Sequence, residues 1–187
     1  MSIREKIVDY EEKKEDIEHW FMLKGEFRYE RIIKFMLGKS IPCTWENVTN
    51  YIKYDKRILI NSFKYIVFLE EFYKSMISKN KKYDEERLIA MDFKVALQKY
   101  LSIGEKAKYD EMNLKVLKEK MDLINDFRNS VAHNKILLDR TFFGNDLEES
   151  LNIIIEILPK SYRSGFKKDI NNCNRGMTDG LWHIILK

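Results

Sequence analysis

Apolar residues recur three or four positions apart along several long stretches of this chain, which is the spacing of one face of an α-helix. Residues that break helices are scarce, with seven glycines and two prolines among 187 residues. This scarcity disfavours a turn-rich β fold. The hydrophobic content of 44% is ample for a packed core. We therefore expect an all-α chain that forms one domain, or one domain with an extension.

The predicted helices cover residues 2–24, 27–37, 44–51, 56–79, 83–101, about 109–139, 146–160 and 162–170. Gly38 ends the second of them. A cap is expected at Asn145 or Asp146, and a kink or break near Pro159. The helix over 56–79 is apolar on more than one face, which places it centrally. Residues 1–45 are interpreted as an N-terminal helical extension and residues 46–187 as a helical bundle domain.

Composition and charge limit the partners, the cellular compartment and the cofactors that we expect for this chain. The net charge of +4 tolerates RNA or another anionic partner without requiring one. Cys43 and Cys173 have no metal or disulfide spacing, which is typical of a reducing cytoplasm. No signal peptide and no apolar run of about 20 residues is visible, so no membrane association is expected. No zinc-type cluster or glycine-rich phosphate loop occurs, so we expect chemistry without a metal or organic cofactor.

Polar residues interrupt the apolar stripe of the helix predicted over 109–139. The stripe consists of Leu114, Leu117, Met121, Ile124, Val131 and Leu138. Arg128 and Lys135 occupy two of its steps. Asn129 follows Arg128, and His133 lies one helical turn beyond Asn129, on the same face. A cation, an amide and an imidazole therefore collect where a buried stripe should be apolar.

An arginine in such a stripe needs compensation, because an unpaired buried charge is costly. One interpretation is structural: a carboxylate pairs with Arg128, and the candidates are Glu70, Glu71 and Asp126. The other is a phosphate site with a titratable histidine beside it. Spacing alone leaves both interpretations open.

The run of residues 128–134, Arg-Asn-Ser-Val-Ala-His-Asn, resembles the signature of the HEPN superfamily. Arg-Asn, two variable residues and Ala-His look most like HEPN domains of abortive-infection and toxin proteins. The resemblance is specific over about ten residues and extends loosely over 56–170 as an order of helices. It implies an up-and-down helical bundle of HEPN type. Lys135 stands where toxins silenced by nucleotidyl transfer carry a tyrosine, so the resemblance does not extend to that control.

The HEPN resemblance implies a metal-independent endoribonuclease in which the RNA 2′-hydroxyl attacks the neighbouring phosphate. Histidine exchanges protons near neutral pH, so His133 would move a proton. Arg128 would stabilise the charge on the phosphate oxygens. Asn129 would orient the imidazole or hold a phosphate oxygen, and Lys135 and Asn134 are candidates for binding the substrate.

The same resemblance implies a homodimer in which two such helices build one composite active site. The expected role is that of a toxin or antiviral effector, with RNA as substrate and an antitoxin or another inhibitory protein as regulator. Two alternatives remain open from the sequence. One is a non-catalytic HEPN-like module that binds RNA or nucleotides, and the other is an α-helical adaptor or antitoxin.

Overall fold

The computed structural model describes residues 2–80, 84–103 and 112–187. Within these ranges the chain forms the α-helices α1 (Tyr10–Lys24), α2 (Glu26–Gly38), α3 (Trp45–Asn80), α4 (Glu85–Ile89), α5 (Phe93–Ser102), α6 (Leu114–Glu119), α7 (Met121–Ala132), α8 (Leu147–Ile157) and α9 (Lys160–Asn171). Single 3₁₀ turns occupy Arg4–Lys6 and Asn172–Asn174. The described residues contain no β-strand, only an isolated bridge between Phe142 and Asn145. The expectation of an all-α fold is confirmed.

Helix α3 is the centre of the bundle and packs against α1, α2, α5, α7 and α9. It runs for 36 residues, so the break predicted between residues 51 and 56 was wrong. Tyr51, Tyr54 and Ile58 are all buried at helical spacing, and no glycine or proline interrupts them. The Thr44 hydroxyl caps the start by accepting a hydrogen bond from the Asn47 amide at 3.3 Å.

Helices α1 and α2 share the hydrophobic core of α3 to α9. Tyr29 stacks on Trp45 with ring centroids 5.5 Å apart, and Phe21 lies 5.0 Å from Tyr29. All three rings are buried in the same cluster as the rest of the core. The first helix is shorter than predicted, because regular α-helix begins at Tyr10.

In the second half of the chain, capping side chains and a proline set the boundaries of the helices. Asp146 caps α8 in a reciprocal arrangement with Glu149, as predicted. Pro159 separates α8 from α9, which confirms the predicted break. The helix predicted over 83–101 is instead two helices, because the Asp92 carboxylate accepts from the Lys94 amide at 2.8 Å and starts α5 anew. Its predicted start at Tyr83 lies outside the described residues.

The helix predicted over about 109–139 is also divided. Its start at Tyr109 lies outside the described residues, and α6 and α7 are separated at Lys120, whose φ of −111° and ψ of 17° leave the helical range. Helix α7 ends at Ala132, and residues 133–141 form turns and irregular backbone. No helix in the described ranges is both long enough and apolar enough to cross a lipid bilayer.

Candidate functional site

The end of α7 is set by a left-handed residue. Asn134 has a φ of +52°, a conformation that asparagine tolerates better than most side chains. The Asn134 amide donates to the Val131 carbonyl at 3.2 Å, and the Lys135 amide donates to the Ser130 carbonyl at 3.0 Å. These two bonds form a Schellman motif, which satisfies the last carbonyls of the helix and stops it.

His133 is the residue that joins α7 to this turn. Its amide donates to the Asn129 carbonyl at 3.0 Å, so its backbone is held by the last helical turn. Its side chain is exposed, and no described residue forms a hydrogen bond or ion pair with the imidazole. The imidazole therefore stands in solvent at the end of α7, with both nitrogens open to an incoming ligand.

Arg128 is half-buried and engages the neighbouring helices. Its Nη2 and Nε contact Glu70 Oε2 on α3 at 3.0 and 3.3 Å, and its Nη1 donates to Asn129 Oδ1 at 3.2 Å. The guanidinium carbon lies 5.8 Å from the centre of the Phe93 ring on α5. Arginine carries five N–H donors, so one hydrogen on each terminal nitrogen is left for another acceptor.

Glu70 is the carboxylate that pairs with Arg128, among the three acidic residues suggested from the sequence. Glu71 is exposed, and Asp126 instead accepts a hydrogen bond from Arg140 at 2.9 Å. Glu70 also accepts from Lys74 Nζ at 2.9 Å. Burial raises the pKa of Glu70, but the hydrogen bonds from Lys74 and Arg128 outweigh it, so the pKa lies below its ordinary value. The cluster of Glu70, Lys74 and Arg128 thus carries one net positive charge.

Replacing Glu70 by glutamine should lower the free energy of unfolding by about 1–2 kcal/mol at pH 7, because two partly buried cations lose their shared anion. A group whose folded pKa is lowered stabilises the fold above its unfolded pKa, and this contribution disappears as pH falls through the folded value. The deficit of Glu70→Gln should therefore shrink in acid. Urea unfolding at several pH values measures it, with the exposed neighbour variant Glu71→Gln as control, expected within about 0.5 kcal/mol of wild type. Equal effects at both positions would contradict the pairing.

Arg128 and His133 do not contact each other within one chain. Five helical steps place their side chains about 140° apart around the axis, and the Arg128 guanidinium is committed to Glu70 and Asn129. Asn129 lies between them, because its side chain accepts from Arg128 and its carbonyl accepts from the His133 amide. A single chain therefore presents the cation and the imidazole as two separate parts.

The turn after His133 is held by helices α2 and α3. Asn134 accepts from Lys56 Nζ at its Oδ1, 2.7 Å away, and from Arg28 at its carbonyl, 3.3 Å away. The Asp55 carboxylate, fully buried on α3, accepts from the amides of Leu137 and Leu138 at 2.8 and 2.9 Å. These residues fix the position of the histidine from outside α7.

Farther along the same turn, Arg31 on α2 pairs with the Asp139 carboxylate at 2.6 Å and donates to the Asp139 carbonyl at 2.9 Å. Lys135, which the sequence placed on the helical stripe, is instead in the turn and exposed.

Reasoning from sequence missed Arg28, Asp55, Lys56 and Lys74. The sequence signals for them were weak: an acidic and a basic residue are adjacent at positions 55–56, and two arginines of α2 lie three residues apart.

No group of three or more histidine, cysteine or acidic side chains in the described ranges is placed to hold a metal ion. Cys43 and Cys173 are both free and buried.

Comparison of the chain with protein-family models, with curated proteins and with solved structures returned no match. The likeness to HEPN proteins is therefore a resemblance in sequence, which is specific in residues 128–134.

Proposed function

We propose that this chain is a metal-independent endoribonuclease of HEPN type, built as a homodimer with a composite active site. The observation that carries the proposal is the exposed imidazole of His133, which no described residue contacts by a hydrogen bond or ion pair, at the end of the helix that also carries Arg128. An imidazole with open nitrogens can exchange protons with a bound substrate. An arginine with two open N–H groups can bind a phosphate oxygen.

The reaction requires no covalent participation by the protein. The RNA 2′-oxygen attacks phosphorus while its proton passes to one imidazole, and the bond from phosphorus to the 5′-oxygen breaks. The leaving 5′-oxygen takes a proton from a second imidazolium. The products are a 2′,3′-cyclic phosphate and a 5′-hydroxyl, and the Arg128 guanidinium offsets the charge that builds on the phosphate oxygens.

A second copy of the chain supplies what one copy lacks. Arg128 and His133 diverge around α7, so a two-fold axis beside this helix would bring Arg128 towards His133 of the partner subunit. The pair of copies also provides the two imidazoles that the reaction uses. Ile89 lies beside the cluster of Glu70, Lys74 and Arg128, because its carbonyl oxygen accepts a hydrogen bond from Lys74. Its side chain exposes 70% of its surface and would be covered by such a contact.

In this proposal an RNA phosphate binds the two Arg128 N–H groups that Glu70 and Asn129 leave open. Glu70 offsets the repulsion between Arg128 and Lys74 and holds the Arg128 guanidinium beside α3. A toxin or antiviral effector acting on cytoplasmic RNA is the role that we propose, with an antitoxin or other inhibitory protein as its control. The pairing of Arg128 with Glu70 also favours a second candidate, a non-catalytic module that binds RNA through the remaining cations.

The nuclease should cut single-stranded RNA in excess EDTA and leave 2′,3′-cyclic phosphate ends. Since the attacking group belongs to the substrate, an RNA carrying one 2′-deoxy nucleotide at the cut site should resist cleavage there while its other sites are still cut. Gel analysis of end-labelled RNA, with mass spectrometry of the product ends, measures both results.

Cleavage that requires a divalent cation, or that proceeds at the 2′-deoxy position, would overturn the mechanism. Binding without cleavage would support the non-catalytic module. The same preparation should sediment at twice the 22.6 kDa of one chain. A monomer that cleaves RNA would exclude the composite site.

A further inference from the structure

A groove of about 720 Å³ lies between α1, α2 and α3 and reaches the turn after α7. Its volume is in the range of small-ligand sites. Asn134 lines one end of the groove and directly follows His133. The groove therefore begins one residue from the imidazole of the proposed active site.

One side of the groove is aromatic. Tyr29 and Trp45 are buried beneath it and stack on each other. Trp20, on the last turns of α1, also lines the groove and has 37% of its surface exposed. The exposed indole offers a flat surface on which a planar ring can stack.

The other side is strongly positive. Lys24, Arg28, Lys53 and Lys56 all line the groove, and none of the four forms an ion pair with a described residue. Lys24, Lys53 and Lys56 are exposed, and Arg28 and Lys56 hold Asn134 by hydrogen bonds. The cations outnumber the nearby carboxylates.

Two carboxylates moderate this charge without cancelling it. Asp16 lines the groove, and its carboxylate accepts a hydrogen bond from the Trp45 indole. Asp55 is buried behind the groove and interacts electrostatically with Arg28 and Lys56. Four cations against two carboxylates leave a surplus of positive charge next to an exposed aromatic ring.

We propose that this groove binds single-stranded RNA beside the bond that is cut, with a base stacked on Trp20 and phosphates against Lys24 and Lys53. A nucleotide combines a planar ring with an anionic phosphate, which is the pair of features that the groove presents. The proposal rests on the proposed nuclease only for the identity of the neighbouring site. Binding itself requires no catalysis.

The test uses fluorescence anisotropy of a labelled single-stranded RNA with the full chain carrying His133→Ala, so that the probe is not consumed. Adding Lys24→Ala and Lys53→Ala should raise Kd at least about 10-fold. The double change should also reduce the slope of log K against log salt by about 1.4, because each of the two lost phosphate contacts contributes about 0.7. Trp20→Ala should raise Kd about 10-fold through lost stacking.

The matched control is Lys115→Ala with Lys118→Ala, which removes the same charge from exposed positions of α6, a helix that packs against α5, α7 and α8 and does not line the groove. This control should retain the wild-type Kd to within about 2-fold. A groove variant that binds RNA as tightly as the control overturns the proposal. Displacement of RNA by polyglutamate at equal charge concentration also overturns it, because the groove would then select acidic protein rather than RNA.

The failure of this proposal and the failure of the nuclease are distinguishable. If the groove variants lose RNA binding while wild type never cleaves RNA, the groove stands and the nuclease fails. If wild type cleaves RNA and the groove variants bind and cleave it equally well, the nuclease stands and the groove fails.

Discussion

Replacing His133 by alanine is expected to lower the rate of RNA cleavage by about 10²–10⁴-fold, the usual contribution of a positioned general acid or base. The imidazole is exposed and makes no hydrogen bond with a described residue, so its removal should leave the free energy of unfolding within about 0.5 kcal/mol of wild type. Single-turnover cleavage of end-labelled RNA in EDTA measures the rate, and urea unfolding measures the stability.

The matched control for this variant is His183→Ala. His183 lies in the C-terminal segment and does not line the groove, and its Nδ1 lies 3.1 Å from the Leu181 carbonyl oxygen. Its removal should leave cleavage unchanged. If His133→Ala, purified in the same way, cleaves RNA as fast as wild type, then the activity comes from another residue or from a contaminating nuclease, and the proposed mechanism is excluded.

Asp55→Ala should have the largest effect on folding, a loss of about 4 kcal/mol in the free energy of unfolding near pH 4. One oxygen of the Asp55 carboxyl group, Oδ1, is the acceptor for two buried amides, those of Leu137 and Leu138, and each buried donor left unsatisfied costs about 1–3 kcal/mol. The same change should free the turn that holds His133 and slow cleavage even below the unfolding temperature.

The effect of Asp55→Ala should depend on pH in a defined direction. Burial raises the pKa of Asp55 to about 6, and the hydrogen bonds from the two amides only partly oppose the shift. An acid whose folded pKa is raised stabilises the fold below its unfolded pKa and loses this contribution as pH rises through the folded value. The difference between wild type and Asp55→Ala should therefore narrow by about 2 kcal/mol between pH 4 and pH 7, from about 1.4 kcal/mol per pKa unit.

Two controls test this interpretation of Asp55. Asp55→Asn keeps an oxygen acceptor but has no ionisation, so its stability should exceed that of Asp55→Ala and lack the decline between pH 4 and 6. Asp179→Ala removes an exposed acid near the C-terminus and should change stability by less than about 0.5 kcal/mol at either pH. A deficit of Asp55→Ala that grows with pH would contradict the raised pKa.

Local sequence determined the helical character of this protein and several of its helix ends. Apolar spacing at three and four residues indicates helices wherever it occurs, because it depends only on helical geometry. Asp146 with Glu149 starts α8, and Pro159 separates α8 from α9. These signals work because capping and the missing proline N–H act within one turn of chain.

The ends of longer helices were harder to predict, because these local signals act only within one turn of chain. The apolar stripe predicts a helix that continues from Val131 to Leu138, yet Asn134 is left-handed and the chain leaves the helix there. Leu138 is buried all the same, but by a turn that Asp55 anchors rather than by a helical face. Periodicity reports which residues are buried and does not distinguish a helix that continues from a turn that returns to the same core.

The arrangement of the candidate site depends on how the helices pack. The sequence identified Arg128, Asn129 and His133 as a group and offered three carboxylates as partners of the arginine, but Glu70 contacts it because α3 passes beside α7 at that position. The groove near His133 likewise joins residues from α1, α2 and α3 with Asn134. Contacts between residues far apart in sequence depend on how the helices pack against each other. Local propensity and spacing carry no information about that packing.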